Sequence, residues 1–301
     1  MNIVALIAAL VAAPLMPGIV NKVKALFAGR RGPGLFRLYF DIAKLMRKSC
    51  PRSATSTWIF DIAPAVGLAS TVVAAAIFPW TASGDAGLFT TASAITFFYL
   101  MGLGRFFTVL GALDTGSAFE GMGASREAFY SALVEPVVFT ILGFLVLLTN
   151  TTSLSGMLGG YDASAWSRHS ISLIFAATAF FVALLSECCR VPFDDPETHL
   201  ELTMIHEAMV LDNSGPDLAF IHYAAALKFE LLAAFLVAAL LPETALGPAA
   251  RFGIVMAGAV AVAIAVGVVE SVIARMRFLK TPQVITGAFM LAALSVILYV
   301  M

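Results

Sequence analysis

Acidic side chains collect in one stretch of an otherwise apolar chain, residues 186–217. The chain has 19 acidic residues, and this stretch contains eight of them: Glu187, Asp194, Asp195, Glu197, Glu201, Glu207, Asp212 and Asp217. Arg190, His199 and His206 are the only nearby groups that can offset their charge. Burial or a like-charged neighbour raises the pKa of a carboxyl group toward working pH, where the group can accept and release protons. The stretch therefore indicates proton transfer.

A short acidic helix is predicted inside this stretch, from Pro196 to about Val210. Proline favours the first helical position, the aspartate before it suits the N-cap, and NSGP at 213–216 ends the helix. Glu197 and Glu201 lie one turn apart on it and would resist joint ionisation. Because the helix N-terminus favours the charged form of Glu197, Glu201 is the predicted proton carrier. A structural ion pair is the alternative role for Glu201.

The composition of this helix predicts where it lies. Its apolar residues make it too hydrophobic for a free surface, so we expect it to pack against the rest of the protein. A solvated loop that simply carries many acids is the alternative. Metal binding by His199, His206 and Glu207 is not expected, because the chain has no HExxH motif. Three cysteines are also too few for a four-cysteine cluster, so we expect neither a metal site nor a redox cofactor in this chain.

The whole chain has the composition of an integral membrane protein. It is 60% hydrophobic and only 12% charged, and apolar runs near the length of a membrane-spanning helix recur along it. The expected fold is all-α, a bundle of about eight transmembrane helices that forms a single domain over residues 1–301. We place the spans at about 2–22, 57–80, 87–112, 128–149, 170–188, 218–241, 251–273 and 283–301.

The basic residues predict the orientation in the membrane. Nine of them crowd the loop at 22–52, which is cytoplasmic by the positive-inside rule. With eight spans, both termini then lie outside. This topology puts fourteen basic residues in inner loops and only Arg168 and Arg251 in outer loops. Nothing in the charge pattern suggests nucleic acid.

The basic loop contains a turn followed by an amphipathic pattern. RRGPG at 30–34 is a helix-breaking turn, and the segment at 35–49 repeats apolar residues at spacings of three and four. We expect a helix at the membrane surface, either a simple anchor or part of the rim of a cavity that opens to the cytoplasm. The predicted rim and contact residues are Arg30, Arg31, Arg37, Arg126, Glu127, Arg190, Arg275 and Arg277.

Charged residues also lie inside the apolar runs. Arg105 and Lys228 are deep enough in their spans to need acidic neighbours in the bundle interior. Glu135 is a predicted intramembrane carboxylate, with simple pairing to one of those two cations as the alternative. For Glu270, near the inner end of its span, a surface pair with Arg275 or Arg277 and a role in the interior are both left open. The predicted proton pathway consists of Glu135, Glu187, Asp194, Glu197, Glu201, Glu207, Asp212 and Lys228.

Several motifs together resemble a known family. SECCRVPFDDPETHLEL, which begins at 186, resembles the signature of subunit 1 (the H subunit) of respiratory complex I, the NADH:quinone oxidoreductase. RRGPG, LDTGS at 113–117, GASRE at 123–127, VEP at 134–136 and ARMR at 274–277 look more like the homologous subunit of group 4 membrane-bound [NiFe] hydrogenases, of the formate hydrogenlyase and hydrogenase-4 type. HEAMVLDNSG, beginning at 206, departs from that pattern.

The resemblance implies a scaffold that anchors a peripheral redox arm and couples its chemistry to proton or sodium translocation. The implied partners are peripheral [NiFe]-hydrogenase-like large and small subunits, an iron–sulfur subunit and antiporter-like membrane subunits. Nickel–iron and iron–sulfur clusters would belong to those partners, and use of quinone stays open. The implied location is a bacterial or archaeal cytoplasmic (inner) membrane. Alternatives are the quinone-site subunit of a complex I-like oxidoreductase and a stand-alone ion transporter.

Overall fold

The structure is a computed structural model that describes residues 2–53, 56–81, 92–194, 204–242, 247–274, 276 and 278–301. This part of the chain is helical, and its only β-type contact is a single bridge between Ser93 and Ser153. The α-helices are α1 (Asn2–Ala12), α2 (Leu15–Phe27), α3 (Arg37–Leu45), α4 (Trp58–Ile77), α5 (Ala94–Asp114), α6 (Ala118–Thr149), α7 (Leu154–Met157), α8 (Ala163–Arg168), α9 (Ser170–Glu187), α10 (His206–Met209), α11 (Gly215–Leu240), α12 (Pro248–Val272) and α13 (Thr281–Val300).

Eight spans in the described residues are long and apolar enough to cross a membrane, as the hydropathy predicts. Seven are single helices, and the first, Ile3–Phe27, consists of α1 and α2 in succession. The predicted all-α bundle of eight transmembrane helices is confirmed. Its interior is apolar and close-packed, with an aromatic cluster in which the rings of Phe97 and Phe235 stack at a centroid distance of 6.1 Å.

The first span is broken in the middle, between α1 and α2. The sequence predicts a single continuous helix at 2–22 and does not predict this break. Pro14 has no N–H to give to the carbonyl of Leu10, one turn before it. The hydroxyl of Tyr223 on α11 donates to that carbonyl instead, at 2.7 Å. The hydroxyl of Tyr39 on α3 donates to the next carbonyl, that of Val11. Side chains from two other helices therefore satisfy the carbonyls that the break exposes.

Helix α3 is the amphipathic surface helix that the spacing at 35–49 predicts. None of its residues is buried, and Phe36 and Phe40 beside and within it expose 58% and 73% of their surface. Large exposed aromatic side chains next to basic ones are typical of a helix that lies in a membrane interface. Tyr39 fastens this helix to the first span.

A carboxylate of the LDTGS motif joins α5 to α4. Asp114 accepts hydrogen bonds from the backbone N–H of Thr57 at 2.6 Å, from the Thr57 hydroxyl at 2.8 Å and from the N–H of Phe60 at 3.3 Å. These N–H groups at the start of α4 have no partner within their own helix. The motif thus fixes the end of α5, the helix that carries Arg105, against α4.

The predicted helix over 196–210 is not continuous. Residues 195–203 lie outside the described residues, but Met204 and Ile205 are not helical, and α10 begins only at His206. The reason is a second cap: Asp194 Oδ2 accepts the N–H groups of Ile205 at 2.9 Å and His206 at 3.2 Å, which starts a new helix there. The expected packing holds, because Ile205 and Met209 are each only 2% exposed.

A glycine on α6 lets α10 pack closely. A Cβ atom at Gly123 would lie 3.0 Å from both the Cβ of Ala208 and the carbonyl oxygen of Ile205. The glycine of the GASRE motif therefore positions α10 and the segment before it against the bundle.

Candidate functional site

Three charged side chains from three spans meet inside the bundle. Glu187 Oε1 accepts from Arg105 Nη1 at 2.5 Å, and Glu187 Oε2 lies 2.8 Å from Lys228 Nζ. The three side chains are only 13%, 13% and 15% exposed. Glu187 is thus the acidic neighbour that both intramembrane cations need. We refer to Arg105, Glu187 and Lys228 as the central cluster.

The central cluster contains more positive than negative charge. One carboxylate serves two cations, and each of its oxygens binds a different one. Such a carboxylate is held strongly in its charged form, since each neighbouring cation favours ionisation. The cluster carries one excess positive charge before any other neighbour is counted.

Glu135 lies at the edge of this cluster, not inside it. Its side chain is 56% exposed, and Oε1 is 3.6 Å from Arg105 Nη2. That distance is beyond a hydrogen bond but within the range of an ion pair. Glu135, one of the predicted pathway residues, therefore lies at the surface of the described bundle.

A cavity of about 100 Å³ adjoins the central cluster. Small and apolar residues of α4, α5 and α11 form most of its wall, and all three cluster residues line it. Its other polar lining includes Glu127 and His206. Glu127, predicted at a cytoplasmic rim, is 6% exposed and belongs to the interior. The GASRE motif therefore supplies an interior carboxylate as well as the packing glycine.

A second cavity, of about 150 Å³, continues from the first. The two share Cys188, Cys189 and His206. The second is also lined by Arg190, Asp194, Glu207 and His222. A third, of about 50 Å³, shares Arg105 and Glu187 with the first and extends to Glu135. Adjoining cavities, mostly apolar but each lined by charged side chains, therefore extend from α10 past the central cluster to the edge of the bundle.

The cysteines between the first two cavities are neutral thiols. Burial raises the pKa of Cys188 to about 12 and, with the nearby Glu127 carboxylate, raises that of Cys189 well above its ordinary value. Cys189 Sγ donates weakly to Glu127 Oε2 at 3.5 Å. In the described ranges, no group of three His, Cys, Asp or Glu side chains could hold a metal ion.

A second buried carboxylate also has two cations. Glu270 Oε2 lies 3.2 Å from Lys24 Nζ, Glu270 Oε1 lies 3.5 Å from Arg190 Nη1, and the Glu270 side chain is fully buried. The alternative of a surface pair with Arg275 or Arg277 is therefore wrong as to burial, and both arginines lie outside the described residues. Arg190 also stacks over the ring of Phe229 at 5.5 Å.

Most of the remaining predicted rim and pathway residues lie outside the three cavities or outside the described part of the chain. Arg30, Arg31 and Arg37 are exposed on the basic loop and do not line the three cavities. Arg126 donates to the carbonyl of Met204 and helps to hold the segment before α10. Asp212 is exposed and does not line the three cavities, and its place in a proton pathway stays a prediction. Glu197 and Glu201 lie outside the described residues.

Besides Glu270, three buried acids were not among the predicted site residues. Glu120 is fully buried and accepts from the N–H of Asp212 at 3.0 Å, Asp217 binds Arg52 and the Cys50 thiol, and Glu230 is fully buried in the middle of α11. The signal for Glu230 is visible in the sequence, since it is a glutamate inside an apolar span. Glu120 and Asp217 lie near helix starts, where acids are also favoured at exposed positions. Their burial therefore has no signal in the sequence.

This architecture defines a multi-pass helical membrane protein with paired charges and cavities in its interior. A family model described as NADH dehydrogenase matches residues 1–301. The chain therefore belongs to the NADH dehydrogenase family, which includes the H subunit of complex I, as its motifs suggest, and is a membrane subunit of a complex I-like or hydrogenase-4-like assembly.

Two relatives from Escherichia coli (strain K12) match along most of their length. Hydrogenase-4 component C is 33% identical over 290 residues, which cover 94% of this chain and 90% of that protein. Formate hydrogenlyase subunit 4 is 31% identical over 289 residues, 94% of this chain and 92% of that protein. The H subunit of the NADH-quinone oxidoreductase of Agrobacterium fabrum is 30% identical over 226 residues, 68% of this chain and 64% of that protein.

A solved structure has the same fold. A chain of the membrane-bound sulfane sulfur reductase, an archaeal respiratory membrane complex, superposes with a TM-score of 0.83 at 17% identity, covering 98% of this chain and 97% of that one. This similarity concerns the arrangement of helices alone.

Proposed function

We propose that this chain is the membrane-anchoring and energy-coupling subunit of a membrane-bound hydrogenase of the formate hydrogenlyase or hydrogenase-4 type. It would link a peripheral redox arm to translocation of protons or sodium ions. The observation that carries the proposal is the central cluster and its adjoining cavities, because charged groups inside a membrane bundle are costly and typically mark ion pathways. The two Escherichia coli relatives support the choice of complex.

The cavities supply a route between titratable groups. Glu207, His222 and His206 line the second cavity, and His206 also lines the first, where Glu127 and the central cluster lie. Water that bridges polar groups a few ångströms apart can carry a proton between them. A proton could thus move from α10 to the cavity beside the central cluster, where Glu127 also lies. Glu197 and Glu201 precede α10 and are proposed to feed this route.

The proposed partners follow from the distribution of charge and apolar surface. The exposed arginines of the basic loop face the cytoplasm in the proposed topology and are available to peripheral [NiFe]-hydrogenase-like and iron–sulfur subunits. Antiporter-like subunits would lie beside the bundle in the membrane. Cysteine-accessibility labelling at 25–50, 155–165 and 275–282 tests the topology. Labelling of 155–165 from the cytoplasm would reverse it.

A quinone does not fit the first cavity alone. Pockets that bury a ligand of that size usually have volumes of at least about 300 Å³, whereas this cavity has about 100 Å³, so a quinone would need the adjoining cavities as well. The volume suits a few water molecules, since one water needs only about 10–15 Å³ of such space. Hydrogen-linked activity is expected to persist in quinone-depleted membranes, and its loss there would favour the quinone-site alternative.

Energy coupling is tested by Lys228→Met in the assembled complex. Redox turnover of the peripheral arm should continue while proton uptake into vesicles falls, because the variant removes a charge that lines the cavity. Lys24→Met is the matched control, since it also removes a lysine from a carboxylate that keeps an arginine partner, Glu270 with Arg190. Equal proton uptake in wild type and Lys228→Met would contradict the proposed function.

A further inference from the structure

Glu230 is the most isolated charged residue of the described bundle. It lies in the middle of α11 and is fully buried. Neither of its carboxyl oxygens has a hydrogen-bond partner among the residues that the structure describes. This differs from Glu187 and Glu270, each of which lies between two cations.

The nearby cations have other partners. Lys228 is only two residues away, but two residues span about 200° of a helix, so its side chain points to the other side of α11. The ion pairs around α11 in the described structure are Lys24 and Arg190 with Glu270, Arg37 with Asp41, Arg52 with Asp61 and with Asp217, and Glu187 with Lys228. None of these pairs includes Glu230.

The face of α11 that carries Glu230 adjoins the break in the first span. Tyr223 lies two turns earlier on the same face, and its hydroxyl donates to the carbonyl of Leu10. The hydroxyl of Tyr39 donates to Val11. Burial raises the pKa of Tyr39, so its hydroxyl stays protonated. Both hydroxyl protons are already committed to backbone carbonyls, so neither tyrosine donates to Glu230 in this arrangement.

An ionised carboxylate in such a position loses its hydration without gaining a cation or a donor, whereas the neutral acid loses far less. We propose that Glu230 is a proton-binding site that keeps its proton at neutral pH, on the side of α11 that faces the broken first span. This site is separate from the central cluster. It requires no translocation by the complex, so it stands or falls independently of the proposed function.

Infrared difference spectroscopy of the assembled complex in lipid tests the proposal. A protonated carboxyl group has a carbonyl stretching band that a carboxylate lacks. At neutral pH, the wild-type minus Glu230→Gln spectrum should contain one such band. Glu270→Gln is the matched control, because Glu270 is equally buried but lies 3.2 Å from Lys24. Its difference spectrum should show loss of carboxylate bands only.

A second variant covers the case in which Glu230→Gln affects assembly. Glu230→Leu should also assemble, since replacing a neutral buried acid by an apolar side chain leaves no partner unsatisfied. Loss of assembly in both variants would show that an ionised Glu230 pairs with a cation, and would overturn the proposal. A wild-type spectrum that gains the carbonyl band only after sodium is removed would overturn it as well, because the site would then hold sodium.

Discussion

Among replacements of a charged residue of the central cluster by an uncharged one, Glu187→Gln should destabilise the protein most. Glu187 makes two charge-assisted contacts, at 2.5 Å to Arg105 and 2.8 Å to Lys228. Such contacts contribute about 1.5–3 kcal/mol each, and removal of one partner from a buried ion pair typically costs about 3–5 kcal/mol. We therefore expect Glu187→Gln to lose about 3–5 kcal/mol, because it leaves two buried cations facing each other.

Lys228→Met should cost less, about 1–3 kcal/mol, because Glu187 keeps its contact with Arg105. The double variant should be more stable than Glu187→Gln alone, since it removes one of the two stranded cations. Arg105 would then keep Glu135, at 3.6 Å, and Glu127, which lines the same cavity, as its acidic neighbours. From most to least stable, the expected order of the variants is Lys228→Met, the double variant and Glu187→Gln.

Thermal inactivation of the assembled complex in detergent measures this order, with all variants heated at one scan rate because unfolding of such complexes is often irreversible. Proton uptake need not be measured, so the result does not depend on the proposed function. The reasoning would be refuted if Lys228→Met lowered the inactivation temperature as much as Glu187→Gln. It would also be refuted if the double variant were less stable than Glu187→Gln.

Three further predictions concern the surroundings of the cluster. Gly123→Ala should destabilise the complex by about 1–3 kcal/mol through overpacking against α10, whereas Gly121→Ala, where a Cβ meets nothing within 4 Å, should be neutral or slightly stabilising in the same thermal assay. Asp217→Asn should speed maleimide labelling of Cys50 several-fold and shift its rate profile to lower pH, because burial and then Asp217 raise the Cys50 pKa and the thiolate is the reactive form; an unchanged profile would exclude this role. Glu201→Gln should leave assembly and peripheral turnover intact but reduce proton uptake, and undiminished uptake would end its assignment as a proton carrier.

The spans and the need for buried pairing could be predicted because they follow from local composition. An arginine inside an apolar run requires an acid wherever the fold places it, so Arg105 and Lys228 pointed to an interior cluster. The identity of that acid could not be predicted, because Glu187 is separated from Arg105 by 82 residues of chain. Tertiary packing alone brings them together.

The start of α10 could not be predicted, because two adjacent aspartates, Asp194 and Asp195, are both suitable as helix N-caps. The sequence favours Asp195 because Pro196 follows it. Asp195 and Pro196 lie outside the described residues, but Asp194 caps a helix eleven residues later, at Ile205 and His206. A side chain that caps across a loop leaves no periodic pattern in the sequence, so α10 could not be located from spacing.

The break in the first span has a mechanical consequence. Tyr39 joins the carbonyl of Val11 to the surface helix α3, and Tyr223 joins the adjacent carbonyl of Leu10 to α11. In a medium without water, neither bond can be exchanged for solvent, so a displacement of α3 must either break one of them at high cost or move the broken turn with it. The surface helix α3 and the middle of α11 are thus both attached to the same broken turn of the first span. Tilting α3 at the membrane surface would therefore pull on the first span through Tyr39 and, through Tyr223, on α11.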